Sequence, residues 1–369
     1  GGGFRKVTPP NDRPGAVLPG IYMRPAREAK TKSGQGLTRD PMEAAREANA
    51  KQALPVVFIH GIGIGPTQYL KLIASLPTEV PVYLVTWPHV SMQIQEQVPT
   101  IDDNVATISQ TLRAAGIEKA CFVGHSLGTT AVAWMLHDRD AAPLVGSCCL
   151  MDPVTFLLID PAIASNFIHR TPRTCIELLM HYFVSRELFI AHTLSRHFSW
   201  SHNVLFYEDL PGAPARLQRS GRLSRVSLVQ QAVDDEAKAN LQAGVKGVNA
   251  DPTSKPAAYA HAPVSTSTST SKSESENKSG SKSAADAATD DSERGICTTV
   301  ILSEDDMIVP AQTTRRYLER QFDKHGDERQ FVDLVWFQKA NHGELMAHEQ
   351  LMHACIDKIR ERCGLFPSQ

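Results

Sequence analysis

Residues 119–130 read KACFVGHSLGTT, and the fold of the whole chain turns on this stretch. Ala120, Cys121, Phe122 and Val123 form a short apolar run, Gly124-His125-Ser126-Leu127-Gly128 follows, and a helical pattern takes over from Ala131 to His137. Strand, tight turn and helix in immediate succession predict a serine at the apex of the turn, strained in its backbone, with its hydroxyl standing clear of the sheet. Gly124 and Gly128, two residues to either side, let the flanking backbones approach with no Cβ between them. A bare G-x-S-x-G arises by chance often enough that the strand-to-helix setting carries the reading. Without that setting the same residues describe a surface turn.

Working outward, the 369 residues suffice for one large domain with additions or for two domains. Hydrophobic content of 42% and charged content of 21% describe an ordinary globular composition. A net charge of -2 predicts no strong attraction to nucleic acid or to an anionic membrane. No apolar run approaches the roughly 18 residues that span a bilayer. Seven cysteines without metal-type spacing predict reduced thiols in a cytoplasmic setting, with Cys121, Cys148, Cys149 and Cys297 as packing residues inside apolar runs. The chain opens GGGFRKV without an initiator methionine, which leaves room for a preceding targeting segment.

Residues 1–50, rich in proline, predict an irregular extension with at most one strand near Ala16 to Met23 and a short helix opened by Asp40 and Pro41. The continuous apolar run Leu54 to His60 predicts a central strand covered on both faces. It ends in His60-Gly61-Ile62-Gly63-Ile64-Gly65, a glycine-dense turn able to point backbone N–H groups at a developing oxyanion. Pro81 to Trp87 and Leu144 to Met151 read as further strands, the latter closed by Asp152-Pro153, and Ile101 to Ala115 as an amphipathic helix with Ile101, Val105, Ile108 and Leu112 on one face. Thr298 to Leu302 and Phe331 to Phe337 read as the last strands, with a helix from Glu344 to Arg362. Strands alternating with helices imply right-handed crossovers and a mostly parallel sheet, an α/β fold flanked by helices.

The buried strand ending in His60-Gly61-x-Gly63, the turn Gly124-His125-Ser126-Leu127-Gly128, and the later segments SEDDMIVP (303–310) and Asn341-His342-Gly343 together resemble the α/β-hydrolase family. The resemblance implies Ser126 as nucleophile, His342 as base and Asp306 as the orienting carboxylate, in the family's chain order. It implies an oxyanion hole from the N–H groups of Ile62 and Leu127, shaped by Gly61, Gly63, Gly124 and Gly128, and it implies no cofactor and no metal. This chain departs from the family in carrying Ser303 where glycine is usual, and Asp305 adjoins Asp306. Asp152, after the strand that follows the elbow, is the alternative acid. Serine at the elbow argues against the epoxide- and haloalkane-opening branches, which use aspartate there.

Between Thr155 and Pro211 the strand alternation stops, and residues 156–215 are expected to form a helical cap. Met180, Phe183, Val184, Leu188 and Ala191 recur at helical spacing, and Phe156, Phe167, Phe183, Phe189, Phe198, Trp200 and Phe206 are expected to supply an apolar roof or simply to pack the cap onto the sheet. Residues 216–295, low in complexity from Ser265 onward, are expected to be a disordered insertion that separates the two parts of the core, 51–155 and 296–369. The expected activity is a serine hydrolase cleaving a small-molecule or lipid carboxylic ester with an apolar acyl or alkyl group. The alternatives are a thioesterase or acyltransferase with the same three residues, and a noncatalytic binding protein of the same fold. Oligomeric state has no signature in the sequence.

Overall fold

In the computed structural model, which describes residues 3–10, 17–27, 53–158, 163, 167, 171–198, 200–213, 297–325 and 331–365, the apolar runs are strands of one eight-stranded sheet. In chain order they are β1 (Arg5–Val7), β2 (Gly20–Arg24), β3 (Val56–Ile59), β4 (Val82–Thr86), β5 (Ala120–His125), β6 (Val145–Met151), β7 (Thr298–Ser303) and β8 (Val332–Phe337). Their spatial order is β1-β2-β4-β3-β5-β6-β7-β8. From β4 to β8 every pairing is parallel, and β1 and β2 join the β4 edge antiparallel. The chain leaves β3 for β4 on one side and comes back to β5 on the other. That reversal opens a crevice at the carboxyl ends of β3 and β5, where open parallel sheets hold their ligands.

The uniform apolarity of the central strands follows from what covers them. On one face, Val57, Ile59 and Phe122 pack with Val105, Ile108 and Leu112 of α2 (Ile101–Ala114), with Val132 and Met135 of α3 (Gly128–His137) and with Leu318 of α6 (Ala311–His325). On the other, Val56, Phe58, Cys121, Val123 and Cys149 pack against Leu72 and Ile73 of α1 (Leu70–Ser75) and Cys355, Ile356 and Ile359 of α7 (Glu349–Arg362). Period-two alternation therefore sends the residues of the central strand β3 and the apolar run of β5 into one apolar layer or the other, and Cys121, Cys148 and Cys149 are packing residues with free thiols. Phe122 is fully buried at the centre of the sheet. Phe122→Ala is expected to cost about 3–5 kcal/mol in chemical denaturation; a loss below about 1 kcal/mol would mean this layer is not closely packed.

The structure departs from the sequence reading at three places. The N-terminal segment expected to be irregular supplies two strands, because Ile21 is buried in the core while β2 satisfies the open edge of β4. The strand expected near Ala16 to Met23 runs Gly20–Arg24 instead. The helix expected from Glu344 begins as a 3-10 turn, Glu344–Met346, and the α-helix starts at Glu349. The helix expected at Asp40 and the insertion 216–295 lie outside the described residues. All described residues belong to one compact unit.

The cap expectation needs refinement as well. Its described helices are α4 (Cys175–Met180), with a capping box between Thr174 and Glu177, and α5 (Leu188–Arg196). A π-helical turn, His181–Ser185, lies between them. The wider turn breaks the 3.6-residue spacing on which the apolar stripe was counted. As a result Phe183 and Leu188 are exposed, while Met180 and Val184 face inward.

Candidate active site

β5 ends at His125, and the chain turns back at once into α3. Ser126, at the apex, has φ +51, the left-handed region that a side chain with a Cβ seldom occupies. Its N–H donates to Met151 O at 2.9 Å, and its carbonyl accepts from Thr129 N at 3.0 Å and Thr129 Oγ1 at 2.6 Å. These bonds hold the strained conformation in place. The glycines on either side are required by contact: a Cβ on Gly128 would collide with the carbonyl of Ile59, and one on Gly124 would lie 2.9 Å from Gly128 O. Helix α3 can start directly against β3 only because those positions are bare.

Three side chains distant in sequence meet here. Ser126 Oγ lies 2.8 Å from His342 Nε2, and His342 Nδ1 lies 2.6 Å from Asp306 Oδ2. The remaining Asp306 oxygen accepts the N–H groups of Ile308 and Val309, each at 2.8 Å, so the loop after β7 aims the carboxylate at the ring. The neighbouring Asp305 is exposed and plays no part in this chain of contacts. Burial disfavours a charged His342 ring, but the Asp306 carboxylate, by charge and hydrogen bond, and Asp152 behind it outweigh burial and raise its pKa to about 9.

Asp152, the alternative acid, does not touch His342. It is fully buried, with φ +42, and its two oxygens accept from Ser303 N at 3.0 Å and Gly343 N at 2.9 Å. Burial opposes its ionisation, and the histidines His125 and His342 and the Gly343 N–H prevail, holding the carboxyl below its ordinary range. Asp152 thus fastens the end of β7 and the His342 loop to the end of β6. The residue at the unusual position, Ser303, is fully buried and uses its N–H for that fastening.

The glycine-dense turn after β3 is equally well accounted for. Gly61 N donates to Tyr69 Oη at 2.8 Å, Gly63 N to Val90 O at 3.1 Å and Ile64 N to Gln68 Oε1 at 3.2 Å. Among the described residues the N–H of Ile62 finds no protein acceptor, and the same holds for Leu127 at the elbow. The two amides that the resemblance singled out are therefore both left unused.

Both border a cavity of about 270 Å³ that also contains Ser126 and His342. Apart from Gln68, Tyr69 and His125, its other walls are mostly apolar, formed by Val154, Leu158, Ile163, Met180, Val184, Leu194 and Ile308 with three aromatics, Phe167, Phe198 and Trp200. Of the aromatic roof expected from sequence, Phe156 is instead buried in the main core, Phe206 packs beside Leu158 and Val204, Phe183 is exposed, and Phe189 does not line the cavity. Sequence reading also passed over Tyr69 and His125, which line the same cavity. No spacing or motif marks Tyr69, whose distance from the elbow closes only in the folded sheet.

Ligand atoms of Asp152, Asp306 and His342 gather within 4.8 Å of one another, close enough for a cation. Each is already committed, the carboxylates to backbone N–H groups and the imidazole to Asp306, a donor pattern that suits proton transfer better than metal ligation. The sequence profile described as "Alpha/beta hydrolase family" matches residues 56–357, well over half of the chain.

This chain belongs to the alpha/beta hydrolase family. The chain has structural likenesses among solved proteins: carboxyl esterase 2 of the mycorrhizal fungus Tuber melanosporum has 15% identity and a TM-score of 0.46, over 98% of this chain and 86% of that one. A serine hydrolase of the bacterium Cycloclasticus zankles has 11% identity and a TM-score of 0.46, covering 99% of both chains. A carboxylesterase of Bacillus subtilis has 11% identity and a TM-score of 0.42, over 98% and 91%. No curated protein sequence matches the chain. Among the described residues, no helix is long and apolar enough to cross a membrane.

Proposed function

We propose that the protein is a serine hydrolase that cleaves carboxylic esters bearing an apolar acyl or alkyl group, through an acyl-enzyme on Ser126. The observation that supports this most is the unbroken contact chain from Ser126 Oγ through His342 to Asp306 beneath an apolar cavity. Neutral His342 takes the Ser126 proton on Nε2 as the oxygen attacks the ester carbonyl, and Asp306 stabilises the imidazolium that forms. The carbonyl oxygen becomes an alkoxide held by the N–H groups of Ile62 and Leu127. His342 then gives its proton to the departing alcohol. Water, deprotonated by the same nitrogen, attacks the acyl-enzyme, and the returning proton restores Ser126 as the acid leaves.

In this reading the cap residues Phe167, Met180, Val184 and Phe198 set acyl preference, since apolar burial scales with the area they cover. A panel of p-nitrophenyl esters is expected to show kcat/KM rising from acetate to medium chains by roughly 10-fold or more, at about 0.8 kcal/mol per buried methylene. Highest activity on acetate would contradict the apolar-chain assignment. Parallel assays of thioesters of the same chains separate the ester reading from the thioesterase one.

A further inference from the structure

Three buried polar groups beside the nucleophile take no part in the steps above: Tyr69, His125 and Asp152. Tyr69 Oη receives the N–H of Gly61 at 2.8 Å and lies 2.7 Å from His125 Nδ1. A phenol has one proton, and Nδ1 is an acceptor that lies within reach of it, so the assignment that satisfies both groups has Tyr69 donating to Nδ1 while its oxygen accepts from Gly61. Burial raises the Tyr69 phenol and lowers the His125 imidazole, the latter against the pull of Asp152, so both groups are neutral as the arrangement requires. His125 then carries its proton on Nε2, 3.8 Å from Asp152 Oδ2 and with no hydrogen-bond partner among the described residues.

The next peptide, Gly61–Ile62, is held as well. Trp87 N donates to His60 Nε2 at 3.0 Å, leaving the His60 proton on Nδ1, which donates to Gly61 O at 2.7 Å. In a trans peptide the carbonyl and the following N–H point in opposite directions. Holding Gly61 O against His60 therefore turns Ile62 N–H the other way, and the Gly61 N–H to Tyr69 bond sets the rotation of the residue between. Gly61 also packs tightly on the elbow, where a Cβ would sit 2.9 Å from that of Ser126.

We infer that Tyr69 is a positioning residue for the oxyanion hole: its hydroxyl ties the N–H of Gly61, in the His60–Gly61 peptide, to His125 of the elbow, and with the next peptide held at Gly61 O by His60 this fixes the direction of Ile62 N–H relative to Ser126. Asp152 extends the tie, since it faces His125 Nε2 and holds Gly343 beside the catalytic histidine. The proposal's effect on turnover rests on the serine-hydrolase reading, whereas its effect on the turn does not.

Tyr69→Phe removes the hydroxyl and keeps the ring, and the tie is tested by its kinetics on a p-nitrophenyl ester with Ser126→Ala as the blank. The expected result is a fall in kcat of about 10- to 100-fold, with KM within about twofold. Affinity for a trifluoromethyl ketone, which forms a tetrahedral adduct, falls by the same ratio, while affinity for the product acid stays unchanged. His125→Asn, which keeps an acceptor near the Nδ1 position, is expected to retain most activity, and His125→Gln, which does not, to match Tyr69→Phe. Hydrogen exchange of the Gly61 amide in Tyr69→Phe is expected to quicken at least tenfold. A folded Tyr69→Phe with kcat and ketone affinity within twofold of wild type overturns the proposal, as does a loss that only tracks a reduced folded fraction. If wild type shows no turnover above Ser126→Ala, the hydrolase reading fails instead, and unchanged Gly61 exchange then decides against the tie.

Discussion

Ser126→Ala is expected to lower kcat by about 10⁴-fold or more, with a melting temperature within a few degrees of wild type. The size of the effect follows from covalent catalysis: without the hydroxyl there is no acyl-enzyme, and only transition-state binding by the two amides and the cavity is left to act on water. The small effect on stability follows from the local bonds. Ser126 fixes the elbow through its backbone N–H and carbonyl, which alanine keeps, and among the described residues its Oγ hydrogen-bonds only with His342. Residual activity within 100-fold of wild type on a purified, folded variant would mean that another group is the nucleophile.

The second large effect distinguishes the two carboxylates. Asp306→Asn is expected to cost about 10³–10⁴-fold in kcat, because an amide can hold the ring in the wrong tautomer and cannot stabilise the imidazolium. It is also expected to move the pH profile. His342 must be neutral to accept the serine proton, so kcat/KM of the wild type rises with pH and levels off near its pKa of about 9. Burial alone lowers that value and Asp306 is the first of the groups that raise it, so the Asn variant levels off at a more acid pH. Stability changes in the opposite sense. A histidine whose pKa is raised on folding contributes stability that is complete below about 6.5 and is lost as pH climbs through about 9, so the wild-type melting temperature falls across that window and the variant's falls less. Asp152→Asn retains the Asp306 contact and is expected to lose mainly stability and loop order. A larger kcat loss in Asp152→Asn than in Asp306→Asn would reverse the assignment.

Much of this was legible from residues alone where burial leaves a one-dimensional trace. β3 and residues Ala120 to Val123 of β5 are apolar at every position because both faces are covered, and the elbow's glycines mark approaches that no Cβ survives. His342 could be placed because it follows the last strand at the same rim, and Asp306 over Asp305 because its spacing to Val309 and Pro310 matches the pattern of the family it resembles; in the structure its oxygen takes the N–H groups of Ile308 and Val309. What escaped the sequence depends on three-dimensional closure. β1 is an edge strand of only 3 residues, too short for a periodic signal; it is a strand because β2, the 5-residue strand expected only approximately near Ala16 to Met23, pairs with β4 on one side and offers β1 a partner on the other. One π turn at His181–Ser185 was enough to put Phe183 outside and Val184 inside. Tyr69 meets His125 across 56 residues, by the packing of α1's approach against β5 and not by any motif.

The measurement that bears most directly on the account is the site of covalent attachment of a fluorophosphonate, read by peptide mass after the intact enzyme is exposed to a small excess of probe. Attachment to Ser126 alone is expected, abolished in Ser126→Ala and slowed strongly in His342→Ala. Wild-type protein that takes up no probe, or takes it up equally without Ser126, would contradict the claim that this serine, through His342, does the chemistry.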